Sequence, residues 1–449
     1  MMSSAISTEP TSTKMENDVR NLTTDHSGVA PGEIAIGVVI GRASEYFDFF
    51  VYGIASVMVF PAVFFPQETR LEGALWSFVI FSFAFIARPF GNALFMAIQR
   101  HFGRSVKLTG ALFLLGISTA GMAFLPGYAS LGFTSIVLLA IFRFLQGIAL
   151  GGSWDGLPSL LALNAPEERR GWYAMLGQMG APIGFILASG LFLYLDKSLD
   201  ARDFLDWGWR YPFYVAFAVN VVALFARLRL VVTNEYTKLL EERELEPVPV
   251  TELLASQSAN VFIGAFASLA SYALFHLVTV FPLSWILLNS TRSVDEVLGV
   301  QVVGGAILIF GTIASGLVAD RIGRRSTLGT AAVLIGIFSL FAPWLLSSGP
   351  RGQDAFILIG FALLGLSYGQ AAGAVSSNFV AKYRYTGAAL TADFAWLIGA
   401  AFAPLVALGL SANFGLAYLS AYLLSGVVCT LVALRINRDL AADKARLRG

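Results

Sequence analysis

Arg42, Glu45 and Asp48 stand at successive three-residue steps inside an apolar stretch that runs from about Ile34 to Phe65. Acids and a guanidinium at that spacing can exchange protons or hold an ion. In a lipid-spanning helix each charge costs about 2.5–3.5 kcal/mol near the bilayer centre, so they need a reason to be there. At 100° per residue the three cover an arc of roughly 120°, so Glu45 can reach both neighbours from one helix face. Tyr52 falls on the same arc. Four acids (Glu45, Asp48, Asp155, Asp393) and three arginines (Arg42, Arg88, Arg143) sit within apolar segments. Near-equal numbers favour pairs between helices, because pairing offsets part of the desolvation cost. A wet ionisable stripe inside hydrocarbon lines a pathway, and transport is the first expectation.

Each of these residues has a chemical reading and a structural one. Asp48 and Glu45 are candidate proton acceptors, Asp48 ahead because Arg42 is better placed to pair with Glu45; the alternative is a permanent salt bridge. Arg88 precedes Pro89, which frees backbone carbonyls for a cavity, and a buried guanidinium suits bidentate binding of a carboxylate. Its structural reading is a pair to Asp48 or Glu45. Arg143 shares a face with Gln146, and Gly147 and Gly151 let another helix approach closely. Asp155 precedes Pro158 and is either a coupling acid or a partner of Arg169 or Arg170; Asp393 is either a coupling acid or a partner of Lys382 or Arg384. Arg42 and Tyr52 join Arg88 as candidate substrate ligands. His276 can titrate near neutral pH or simply pack. Gln301, Tyr368, Gln370 and Asn378 can hydrogen-bond a substrate or a neighbouring helix. Trp154, Trp285 and Trp396 are candidates for closing a cavity.

The elements that must position these residues are transmembrane helices. The chain has 449 residues, 56% hydrophobic and 13% charged, against about 25% charged in soluble domains. Apolar windows of about 20 residues recur twelve times: 34–65, 74–98, 106–126, 131–163, 171–195, 211–229, 259–288, 296–319, 326–347, 355–379, 387–410 and 414–436. The predicted class is an all-α membrane protein of twelve helices in two six-helix bundles. Residues 1–32 read as a disordered tail, 33–229 as the first bundle, 230–258 as a linker, 259–436 as the second bundle and 437–449 as a second tail. The leading segment has no apolar core, so the first span itself is expected to target the chain. With the tails and even-numbered loops on one side, that side holds 21 of the 30 Lys+Arg residues. The positive-inside rule then places both termini in the cytoplasm of a bacterial inner membrane.

Other classes are disfavoured. A single cysteine, Cys429, excludes a disulfide framework. Walker loop, H-E-x-x-H and zinc ligand spacings are missing from the sequence, so neither an enzyme nor a cofactor is expected. The expected partners are a small-molecule substrate, protons and lipid, with no nucleic acid and a monomer as the working unit.

The halves echo each other: "QRHFGRS" joins spans two and three, and "ADRIGRRS" joins spans eight and nine. The segment "GLVADRIGRR", Gly316 to Arg325, fits the loop motif G-x-x-x-D-R-x-G-R-R and resembles the major facilitator superfamily. "EYFDFFVYG", "RPFGNALF", "RFLQGIALGG", "APEERRGWYAMLGQMGAPIG", "GWRYPF" and "RYTGAAL" are similar to its metabolite:proton symporter branch, which carries shikimate, α-ketoglutarate, citrate and proline/betaine. The resemblance implies proton coupling, with Arg143 in that role, and an organic acid or zwitterion as substrate. It also implies gating by Gly316, Asp320, Arg321, Gly323, Arg324 and Arg325, with Arg104 in the first half. The first-half loop departs from the motif: Met96, Arg100 and His101 replace Gly, Asp and Arg, leaving Gly103 and Arg104. Ser153 stands where the branch has Glu, and Asp393 where it has Asn. The leading expectation is proton-coupled symport by alternating access. A proton-driven exporter of drug-like or cationic compounds, an uncoupled facilitator and a non-transporting scaffold stand as alternatives.

Overall fold

Burial of apolar runs longer than 20 residues, with every backbone group bonded inside its own segment, leaves helices as the natural element here. In a computed structural model every regular element among the described residues is indeed helical. The structure describes residues 31–153, 161, 165–231, 246–371 and 379–446. Trp154, Asp155 and Asn378 lie outside the described residues.

The first half contains α1 (Pro31–Met58), α2 (Arg70–Phe102), α3 (Arg104–Phe124), α4 (Phe133–Gly152), α5 (Arg170–Ser198) and α6 (Tyr211–Val231). The second contains a bent span of three pieces, α7a (Val250–Ala267), α7b (Leu269–Thr279) and α7c (Phe281–Asn289), and then α8 (Val294–Ile322) and α9 (Arg324–Ser347). It ends with α10 (Gly349–Ala371), α11 (Arg384–Phe414) and α12 (Ala417–Arg446). Ten of these helices are long and apolar enough to cross a bilayer, and α7a with α7b, bent by 41°, makes another. The twelfth is α1, set apart by its charges: every 18-residue stretch of it contains Arg42, Glu45 and Asp48.

Local chemistry sets the ends and breaks. Thr69 and Glu72 form a reciprocal capping box at the start of α2, with the Glu72 backbone N–H donating to Thr69 Oγ1 at 3.2 Å. Gly103 (φ +88°) and Gly323 (φ +84°) turn the chain tightly between α2 and α3 and between α8 and α9. These positions favour glycine, and they occupy equivalent places in the two halves. The window 34–65 does not form one helix: α1 stops at Met58, and a short helix Phe60–Val63 with Pro61 in its first turn follows. By contrast α2 runs through Pro89 unbroken. In α11 a π-turn at Trp396–Ala400 shifts the register just after Asp393, a device often found at functional sites.

Glycine brings the helices of each half into contact. A Cβ at Gly147 or Gly151 would collide with the backbone of Ala84 or Arg88, so α4 lies directly on α2. The counterpart in the second half is Gly365 of α10, where a Cβ would come 2.8 Å from Gly311 Cα of α8. The halves meet through α5 against α8 and through α2 against α11.

Candidate substrate and coupling site

A hollow lies between the halves, walled by Arg42 and Tyr46 of α1, Arg88 and Asn92 of α2, Ser153, Gln178, Tyr272, Tyr368, and Asp393 and Trp396 of α11. It is small, about 30 Å³, enough for roughly two water molecules. A metabolite enters only when the halves move apart.

Arg88 and Asp393 form an ion pair across the halves, Nε to Oδ1 at 3.1 Å, with side chains 15% and 3% exposed. Asn92, one turn beyond Arg88 on the same helix face, donates its Nδ2 to Asp393 Oδ2 at 2.7 Å. Both carboxylate oxygens are therefore held from the opposite half. The Asn92 Oδ1 atom is buried and has no hydrogen-bond partner. The Arg88 guanidinium also lies 5.8 Å from the Trp396 ring centroid. This pair corrects two expectations. Arg88 does not bond Asp48 or Glu45, and Asp393 does not bond Lys382 or Arg384. Lys382 instead reaches Glu252 at 2.6 Å, and that carboxylate raises the lysine pKa above its ordinary value.

Glu45 sits between two arginines. Arg42 Nη1 donates to Oε2 at 3.0 Å, and Arg227 Nη1 of α6 lies 2.8 Å from Oε1. Arg227, one of the 21 Lys+Arg residues counted on the side of the tails, is 3% exposed and belongs inside the bundle. Among the described residues, three guanidinium groups and two carboxylates thus gather at or beside the hollow.

Asp48 has a different environment. Its carboxylate accepts from Thr119 Oγ1 (2.7 Å), Asn220 Nδ2 (3.0 Å) and Gln146 Nε2 (3.0 Å), all neutral donors of the first half. Gln146 is the bridge to Arg143, whose Nη1 donates to Gln146 Oε1. Arg143 also donates Nε to the Phe81 carbonyl at 3.2 Å, and its guanidinium lies 3.9 Å from the Tyr52 ring centroid and 4.8 Å from that of Phe81. The expectation that the in-membrane charges line a pathway is therefore corrected for Asp48. Asp48, Arg143 and Tyr52 form a dry cluster within one half and line no part of the hollow.

Between this cluster and the hollow stands a wall of rings. Phe49 lies within 6.0 Å, centroid to centroid, of Phe81, Phe85, His276 and Trp396. His276 is embedded there, fully buried, its Nδ1 3.4 Å from Thr279 Oγ1. Tyr368 hydrogen-bonds Tyr46 across the halves, at the edge of the hollow. Gln301 donates to the Thr279 carbonyl at 2.9 Å and does not reach the hollow, and Trp285 packs on Phe281.

The gating candidates meet on the face that carries the chain's two ends. Asp320 Oδ1 accepts the backbone N–H groups of Gly171 (2.7 Å) and Trp172 (3.2 Å) at the start of α5. A carboxylate there complements the helix N-terminus. Gly316 permits the approach: a Cβ on it would stand 2.8 Å from Met175 Cγ. Gln370 donates to the Gly171 carbonyl at 3.1 Å, so it belongs to this latch and not to the hollow. Arg321 and Gly323 are exposed at the α8–α9 turn, while Arg324 and Arg325 open α9 and Arg104 opens α3, each half-buried.

Over residues 40–393 the sequence fits the model of the Major Facilitator Superfamily. The chain belongs to that superfamily. It is a multi-pass membrane transporter and not an enzyme. It is 36% identical to the inner membrane metabolite transport protein YhjE of Escherichia coli (strain K12), over 91% of this chain and 94% of that protein. To the shikimate transporter of the same organism it is 28% identical, over 90% of this chain and 94% of the other. A proline/betaine transporter of Salmonella typhimurium (strain LT2) is 27% identical, over 73% and 65% of the two chains. The crystal structure of a D-xylose-proton symporter superposes with a TM-score of 0.68 at 21% identity, covering 89% of this chain and 96% of the other, and supports the fold.

Several site residues escaped the sequence reading. Asn92 carried a usable signal, four residues after Arg88 and so on its face. Thr119 and Asn220 are isolated polar residues in apolar spans. Tyr46 and Tyr272 gave no signal that distinguishes them from core aromatics.

Proposed function

We propose that this transporter carries a small organic acid or zwitterion together with a proton, with Arg88 as the carboxylate ligand and Asp393 as the proton acceptor. The observation that carries this reading is the Arg88–Asp393 pair, which joins the two halves in the wall of the hollow. A substrate carboxylate and Asp393 compete for one guanidinium. When Asp393 takes a proton it gives up the ion pair, and the incoming carboxylate takes its place. Loading a single anion and a single proton leaves the charge of the hollow unchanged. Neither binds well alone: the anion meets a competing carboxylate, and the proton leaves an arginine without its counter-ion. Arg42, shared with Glu45, supplies a second cation, and the Tyr46 and Tyr368 hydroxyls are placed to bond substrate oxygens. Metabolite, shikimate and proline/betaine transport by the relatives supports the substrate class.

Asp48 and Arg143 fit a supporting role, stiffening the first half through Gln146, Thr119 and Asn220. The gate residues Asp320 and Gly316 would close the terminal face while the hollow opens on the other. The Lys/Arg asymmetry supports cytoplasmic termini in a bacterial inner membrane; the bundles of this reading are 33–229 and 259–436, with α7a starting at Val250 inside the stretch 230–258 expected as a linker. The unit of transport in this reading is the monomer.

The test is uptake into proteoliposomes, after a thermal-shift screen over dicarboxylates, hydroxylated ring acids, betaines and amino acids has chosen the ligand. An external pH one unit below the internal should raise uptake of the stabilising ligand. Indifference to the gradient rejects proton coupling, and a ligand set without a carboxylate rejects the role of Arg88.

A further inference from the structure

The contact between α2 and α4 is tight at one end and open at the other. The two helices run side by side in the same direction, and Gly147 and Gly151 seat α4 on the backbone of Ala84 and Arg88. From Gly147 toward the face opposite the chain's ends, bulky side chains take the place of the glycines and the helices leave a groove. Trp76, Ile80 and Phe83 of α2 and Phe133, Val137 and Phe144 of α4 wall it, and its volume is about 650 Å³. Trp76, Phe133, Val137 and Phe144 are exposed and none of them lines the hollow, so the groove opens outward from the bundle, toward lipid.

The length of the groove and the chemistry of its two ends select an occupant. Along α4 it runs from Phe133 to Leu145, about 18 Å at 1.5 Å per residue. One leaflet of a hydrocarbon core about 30 Å thick is about 15 Å deep. The groove is therefore one leaflet long, and it stops near mid-membrane, where Gly147 closes on Ala84. Its wall is aromatic and aliphatic but for Gln67 and Glu68, both exposed in the connection from α1 to α2, which form the rim at the outer end. The Glu68 side chain makes no hydrogen bond or ion pair among the described residues, whereas nearby Glu72 is held by Thr69. An apolar slot of leaflet length that ends in a free carboxylate and an amide matches an amphiphile with one alkyl chain to bury and an ammonium at its head. We propose that the groove holds an acyl chain of a phosphatidylethanolamine, its ammonium on Glu68 and its phosphate on the Gln67 amide. The lipid belongs to the leaflet on the face opposite the chain's ends. A primary ammonium donates a charge-assisted hydrogen bond to the carboxylate. A quaternary ammonium has no N–H to give, and an anionic headgroup brings like charge to Glu68. The site is separate from the hollow and stands whether or not Arg88 and Asp393 carry substrate and proton.

Lipids brominated on the acyl chain quench tryptophan on contact, and Trp76 in the wall makes the groove its own reporter. Its share of the quenching is the part lost in Trp76→Phe. In nanodiscs of equal brominated mole fraction, phosphatidylethanolamine should be enriched at Trp76 about threefold over phosphatidylglycerol and over phosphatidylcholine, the size of an exposed ion pair. Glu68→Gln keeps the side-chain shape on an exposed loop, and it should erase the preference over phosphatidylcholine, a lipid of the same net charge. Val137→Phe, at an exposed position of the wall and without change of charge, should lower Trp76 quenching by all three lipids, because it fills the slot. No preference for the ethanolamine lipid, or one that survives Glu68→Gln, overturns the proposal. Quenching that Val137→Phe leaves unchanged overturns it too, since the acyl chain then lies elsewhere.

Discussion

Replacing Asp393 with asparagine should separate coupling from transport. The side chain keeps its shape and loses its charge. Asn92 accommodates the change: its Nδ2 now donates to Asp393 at 2.7 Å, while its Oδ1 has no partner, so an amide flip lets it accept from the new Nδ2. Arg88 loses its counter-ion, and with it a charge-assisted hydrogen bond of about 1.5–3 kcal/mol that stabilises the substrate-free state. The loss falls at the low end, since the Arg88 side chain is 15% exposed. Carboxylate binding no longer competes with Asp393, so substrate affinity should rise by about tenfold, the equivalent of roughly 1.4 kcal/mol. Coupling should vanish. In the wild type one proton per substrate turns a gradient of one pH unit into about tenfold accumulation, since a tenfold ratio is worth about 1.36 kcal/mol. In D393N the accumulation ratio should fall to about one while exchange of labelled for unlabelled substrate continues. The assay is paired uptake and counterflow in the same proteoliposomes. Accumulation that persists in D393N at near wild-type ratio would refute the assignment of the proton to Asp393.

Other variants test neighbouring steps. Arg88→Lys replaces a planar fork by a point charge, so the KM for the carboxylate should rise by about tenfold with the accumulation ratio retained; an unchanged KM counts against Arg88 as ligand. Asp48→Asn places an amide N–H among three donors, which should cost about 1–3 kcal/mol and lower the unfolding midpoint by a few degrees, with proton-driven accumulation intact. If D48N abolishes accumulation but not exchange, Asp48 is the coupling acid after all. Gly171→Ala pushes a methyl against Ala319 and Asp320, a strain of about 1–3 kcal/mol, and should favour opening of the terminal face, read as faster alkylation of a cysteine placed at Ala389.

The spans, the repeat and the second-half motif were legible because length, apolar content and a glycine with positive φ are local properties. The in-membrane charges were legible too, since hydrocarbon tolerates so few of them. Their partners were not. Helical spacing joins Arg42 to Glu45 within one turn, and the structure agrees, but it carries no information on which face of α2 meets which face of α11. Arg88 therefore found Asp393, 305 residues away, and not the acids of α1. Arg227 and Lys107 lie near the ends of the windows 211–229 and 106–126, where spacing does not separate a loop charge from a core one; burial at 3% and 1% shows that each serves inside the bundle. Asp48 attracted attention as a charge, yet three neutral donors satisfy it, a solution that sequence spacing does not reveal. Gln301 and Gln370 are polar and buried as a binding residue would be, but their bonds go to the Thr279 and Gly171 carbonyls.

The most direct measurement places a pH electrode in a weakly buffered suspension of proteoliposomes and adds the carboxylate ligand with no imposed gradient. Exchange of the Arg88–Asp393 pair for a bound anion and a bound proton predicts alkalinisation outside the vesicles at one proton per molecule taken up, unaltered when valinomycin and potassium clamp the membrane potential. Uptake at the same rate with no change in external pH would contradict it.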